Sequence, residues 1–121
     1  EVIPFGWQTT KALIEEMLDA MDVLGQQTTL RMNGDAPYVT DEGNHIVDLH
    51  LNRIGAARQL AMALNQIPGV VENGLFMDIC DIVVTGYGDG RVEVRDINDG
   101  TVHTDKINFV DSDNLFTDLM E

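Results

Sequence analysis

His45, Asp48 and His50, in the run His45-Ile46-Val47-Asp48-Leu49-His50, are the first residues here that could do chemistry, because imidazole and carboxylate can ligate a metal or relay a proton. Their spacing divides them. Along a strand, odd and even positions face opposite ways, so the two histidines diverge, while Asp48 and His50 share a face. His103 stands apart in the sequence. The acidic run Asp111-Ser112-Asp113-Asn114, with Asp118 and Glu121, has the look of a calcium loop, but Phe116 occupies the sixth position, where a sharp turn needs glycine. Gly86-Tyr87-Gly88-Asp89-Gly90 could offer bare amides to an anion, yet no lysine follows it and Asp89 would repel a phosphate, so a hairpin turn is the better reading. Cys80 lies between Ile79 and Asp81 with no cation near it in sequence, which predicts a small buried hydrophobe in place of a reactive thiolate. Trp7 reads as a core anchor or an interface residue. None of these makes a catalytic constellation: no serine is placed with histidine and acid, and there is no zinc signature or nucleotide fingerprint.

Composition narrows the partners. Asp and Glu outnumber Lys and Arg by 21 to 7, a formal net charge of -14, which repels phosphate backbones and anionic membrane surfaces. Nucleic acid and membrane partners are therefore not expected. No apolar run is long enough to span a bilayer, and a lone cysteine fits a reducing cytoplasm. With 121 residues and 44% apolar content, the chain can close one core or a small domain plus part of another. It begins at Glu1, already inside the apolar run Val2-Ile3-Pro4-Phe5, as a fragment of something longer would.

The elements that must position these residues follow from periodicity. Val2, Ile3 and Phe5 predict a short strand, closed by Gly6. A helix capped by Thr9 or Thr10 then runs toward Gly25, with Leu13, Ile14, Met17, Leu18 and Met21 on its apolar face. Residues 28–32 read as a strand, 33–37 and 41–44 as turns, and 45–51 as a strand with Val47, Leu49 and Leu51 inward. A second helix is expected over 56–66, where Ala57, Leu60, Ala61 and Leu64 form a stripe; Pro68 and Gly69 stop it, and residues 70–76 supply a fourth strand.

Strand, helix, strand, strand, helix, strand is the ferredoxin-like order, in which two helices cover one face of an antiparallel sheet. Beyond it, Ile82, Val83 and Val84 form a continuous apolar run of the kind buried on both faces, and residues 91–95 alternate as the partner strand of a hairpin. The sequence turns polar and acidic from Asp96. Ile107, Phe109 and Val110 could add a strand, and Leu115, Phe116, Leu119 and Met120 an amphipathic turn.

Two stretches carry a family resemblance: residues 64–76, Leu-Asn-Gln-Ile-Pro-Gly-Val-Val-Glu-Asn-Gly-Leu-Phe, and residues 39–50, Val-Thr-Asp-Glu-Gly-Asn-His-Ile-Val-Asp-Leu-His. Both resemble the C-terminal part of the A-type ribose-5-phosphate isomerases, and the likeness extends over about residues 1–94. It implies an α+β chain in three parts: a ferredoxin-like βαββαβ lid domain (1–77), a returning strand and hairpin (78–96) of a mostly missing Rossmann-like α/β domain, and an acidic tail (97–121). It also implies a sugar-phosphate isomerase that interconverts ribose 5-phosphate and ribulose 5-phosphate through an enediolate, with no metal or other cofactor. The family carries its base, paired aspartates and phosphate-holding lysines in an N-terminal half. Lys11 and Lys106 are the only lysines here and neither lies in such a motif, so no catalytic, substrate-binding or metal residue is transferred. The expected partners are that N-terminal half, the sugar phosphate and further copies in a homodimer or homotetramer, and the chain alone should be inactive. The alternative is a free-standing, non-catalytic ferredoxin-like module that binds a small molecule or a partner chain.

Overall fold

A computed structural model describes residues 1–107, which fall into two units, Glu1–Leu75 and a second beginning at Phe76. The first unit holds helices α1 (Trp7–Asp19) and α2 (Ala57–Asn65) and strands β1 (Val23–Leu24), β2 (Gln27–Leu30), β3 (Met32–Asn33), β4 (Ala36–Pro37), β5 (Val47–His50) and β6 (Arg53–Ile54). The second holds β7 (Ile82–Gly86), β8 (Arg91–Asp96) and β9 (Val102–Lys106). The described residues thus form an α+β fold of antiparallel sheets with two helices.

In the first unit β2 pairs with β5, Thr28 opposite Leu49 and Leu30 opposite Val47. Upstream of β5, His45 bridges Val2, and Val2 bridges Val70 on its other side, both antiparallel. Spatially the order runs from residue 70 to residue 2, then to 45–50 and on to β2. The expected first and fourth strands are therefore reduced to short pairings. Ile3 donates to the Gly69 carbonyl (2.9 Å) and Val71 to the Glu1 carbonyl (2.8 Å), but no ladder continues through residues 72–76. The reason is local: the Asn73 side chain accepts from the Leu75 amide (2.9 Å) and donates to Asn65 Oδ1 (2.9 Å), so an Asx turn tied to α2 takes the place of extended pairing.

Helix α2 forms over the expected stretch, whereas α1 differs from expectation at its start. Helix α1 begins at Trp7 behind Gly6, which takes a left-handed φ of 70° and provides no side-chain cap. Thr10 is instead buried inside the first turns, and its hydroxyl reaches the Gly6 and Pro68 carbonyls (3.4 and 3.3 Å). Helix α2 begins behind Ala56, likewise without a side-chain cap, and closes at Gln66. The expected stripes do form the core, in which Ile14 and Leu18 from α1, Leu60 and Leu64 from α2 and Val2 are buried, with Val47, Leu49 and Leu51 packed against them. Leu13 lies at the margin of its stripe and stays partly exposed.

The strand expected over 28–32 breaks at Arg31. Its amide donates to the Ile46 carbonyl (2.8 Å) while its own carbonyl accepts from Tyr38 (2.9 Å), so the chain passes there from the β2–β5 ladder into the small β3–β4 hairpin. The turn at 41–44 forms as expected, with Gly43 at φ 83° and its amide donating to the Thr40 carbonyl (2.9 Å).

The second unit is a three-stranded sheet in the order β7-β8-β9. The β7–β8 hairpin matches the expectation, Val84 facing Val94 across a turn in which Gly90 takes φ 87°. Two features do not. Ile82 and Val84, expected to be buried on both faces, are 56% and 65% exposed, because among the described residues no layer covers the face of β7 from which they project. Within the stretch read as an acidic tail, β9 pairs with β8 over its whole length: Val102 and Thr104 suit the pleat, and the Asp96 and Asp99 carboxylates close the connecting turn by accepting from the Asn98 and Thr101 amides. Ile107 follows, its amide on the Gly90 carbonyl (2.7 Å). Phe109, Val110, the acidic run from Asp111 and the turn expected at 115–120 lie outside the described residues.

Candidate functional site

The register of β2 on β5 assembles the polar face that the histidine-rich stretch suggested. Thr29 lies opposite Asp48, and Arg31, two residues further on, reaches diagonally to the same carboxylate. Arg31 Nη2 is 2.6 Å from Asp48 Oδ1 and Nε is 3.1 Å from Oδ2, a two-pronged pair. Arg31 also stands 5.7 Å from the Tyr38 ring centre. His50, on the same face as Asp48, exchanges a hydrogen bond with the Thr29 hydroxyl at 2.7 Å.

Asp48 and His50 are thus engaged by different partners, the first by Arg31 and the second by Thr29. The Arg31 hydrogen bond holds the Asp48 carboxyl below its ordinary value, outweighing the upward push of burial, and the guanidinium is raised in turn. His45 faces the other way, its Nδ1 buried and without a hydrogen-bond partner. Among the described residues no group of three or more His, Cys, Asp and Glu is placed to hold a metal ion. Cys80 is exposed, contrary to expectation, with its thiol on the Ile82 carbonyl (3.2 Å): the Ile79 to Asp81 segment flanks an edge strand and is not covered. The Gly86 to Gly90 segment is a hairpin turn, with the Asp89 side chain on the Arg91 amide (3.0 Å) and the Arg91 guanidinium 3.8 Å from the Tyr87 ring centre. Trp7 packs against the core of the first unit.

Next to the ion pair, the first unit opens into a groove of about 460 Å³. Its apolar lining comes from the helices and the inner face of β5, including Ile14, Leu49, Leu60 and Leu64; Arg31, Asp48, Glu72 and Asn73 supply polar groups. Arg31 is the site residue that residue-by-residue reading overlooked. The signal was there: it lies in phase with Thr29 on the outward face, but its partner on a neighbouring strand is visible only once the register is known. Elsewhere in the unit, Glu15 accepts from Lys11 and from the buried Thr28, which keeps its carboxyl low, and Asp22 is lowered by Arg53. These contacts join α1 to β2 and the 20–23 segment to β6. They are structural ties that bring no reactive group to the groove.

An α+β chain with an apolar groove and an ion-paired sheet face defines a class of architecture and no reaction. Comparison with known proteins goes further. The profile of the family described as ribose 5-phosphate isomerase A (phosphoriboisomerase A) matches residues 1–90. Over all 121 residues the chain is 76% identical to the ribose-5-phosphate isomerase A of Ruegeria pomeroyi, and it covers 46% of that protein. The corresponding protein of Roseobacter denitrificans is 69% identical over the same 121 residues, again with 46% of its length covered. Among solved structures, a D-ribose-5-phosphate isomerase in complex with phospho-erythronic acid matches with a TM-score of 0.59 at 36% identity, over 88% of this chain and 40% of that one. A ribose 5-phosphate isomerase from Plasmodium falciparum matches in fold, with a TM-score of 0.64 at 19% identity over 89% of this chain and 41% of that one. The chain belongs to the ribose 5-phosphate isomerase A family. It spans less than half the length of the relatives it matches.

Proposed function

We propose that this chain is the C-terminal portion of a ribose-5-phosphate isomerase, an enzyme that interconverts the aldose D-ribose 5-phosphate and the ketose D-ribulose 5-phosphate through an enediolate in the pentose phosphate pathway. One observation carries the reading: 76% identity across the whole of this chain to a ribose-5-phosphate isomerase A of which it covers 46%. In this reading residues 1–77 are a ferredoxin-like lid. Support comes from the pairing order, in which residue 70 neighbours residue 2, residue 2 neighbours 45, and β5 neighbours β2, with both helices packed through one core. Residues 78–96 return the chain to a larger α/β domain. The exposed Ile82 and Val84 on β7 are what a strand awaiting a covering layer presents, and the second-unit sheet extends past residue 96 through β9.

The isomerisation needs a base to move a proton between adjacent carbons and cations or amides to hold the phosphate and the developing oxyanion. Those groups belong, in this proposal, to an N-terminal half acting as this chain's partner, and the chain alone is inactive. The assembled enzyme works without a metal, as a homodimer or homotetramer in the cytoplasm, with no nucleic acid or membrane partner. Among the described residues no helix is long and apolar enough to cross a membrane.

A coupled assay for ketose formation from ribose 5-phosphate tests the proposal. It should give no turnover with this chain alone and turnover once it is joined to the N-terminal half of the Ruegeria pomeroyi relative. Failure of a folded, joined chain to turn over would remove the enzymatic reading.

A further inference from the structure

We draw no further inference here: the strongest candidate, the apolar groove of the first unit that Ile14, Leu49, Leu60 and Leu64 line beside the Arg31 and Asp48 pair, carries nothing because nothing in the structure shows what covers it.

Discussion

Asp48 on β5 and His45 just upstream of it show how nearby positions of one extended segment acquire opposite roles. Asp48 faces outward to Arg31, and its carboxyl titrates below its ordinary value in the folded chain. A group lowered in this way stabilises the fold fully above its unfolded value, and that contribution is lost as pH falls through the lowered folded value. The window therefore lies below about pH 4. Asp48→Asn should cost roughly 0.2–1 kcal/mol at pH 7, as partly exposed pairs do, and should flatten the acid limb of stability against pH. Urea midpoints across pH 2 to 7 for both proteins check this; parallel curves would contradict it. His45 faces the core with Nδ1 unsatisfied. A buried polar atom without a partner costs about 1–3 kcal/mol, so His45→Leu should leave stability unchanged or raise it by about 1 kcal/mol. A fall in the urea midpoint would mean that the imidazole makes a bond the leucine cannot replace. Which way each residue faces was legible from strand alternation alone. That Arg31 would reach Asp48 was not, because the pairing depends on how two distant segments align.

At the scale of elements, the helix-to-sheet corner after α2 separates two residues that look equivalent in sequence. Pro68 and Gly69 both read as helix stops, yet the structure gives them different duties. Gly69 takes φ 92°, and a Cβ there would come within 2.3 Å of the Thr10 hydroxyl oxygen. Helix α2 has already ended at Asn65, and what Pro68 contributes to Thr10 is a backbone carbonyl, which any residue can supply. Gly69→Ala should therefore cost about 2 kcal/mol or more, and Pro68→Ala less than about 1 kcal/mol, mainly through the unfolded chain. Equal shifts in urea midpoint would refute this division. Both helices and the β7–β8 hairpin were readable because their periodicity is local. Three departures have local causes that periodicity does not see: the Asx turn at Asn73 that ends pairing after Val71, the exchange of partners at Arg31 that splits the predicted strand, and the turn from Asp96 to Thr101 that launches β9. In each, side chains or carbonyls compete with the ladder.

The whole molecule combines a unit with its own core and a sheet that exposes apolar side chains. Ile82, Val84, Phe76 and Ile79 are each more than half exposed, far from the doubly buried strand that the sequence pattern predicts. Continuous hydrophobicity reports the environment a strand is suited to, and this chain leaves it open. Val84→Lys should therefore reduce aggregation of this chain, visible as a larger monomer peak in size-exclusion chromatography, with little change in the unfolding of the first unit. In a chain carrying the N-terminal half, the same substitution should lower soluble yield. Unchanged yield there would show that β7 is not covered in the longer protein.

Arg31 has one more consequence, for engineering. Because its backbone bonds to Ile46 and Tyr38 fasten the base of the β3–β4 hairpin, and the exposed Gly34 at the tip has open space around it, the loop beyond that fastening can lengthen without disturbing the ladder behind it. Positions 34–35 are thus a natural place to graft a tag or fluorophore.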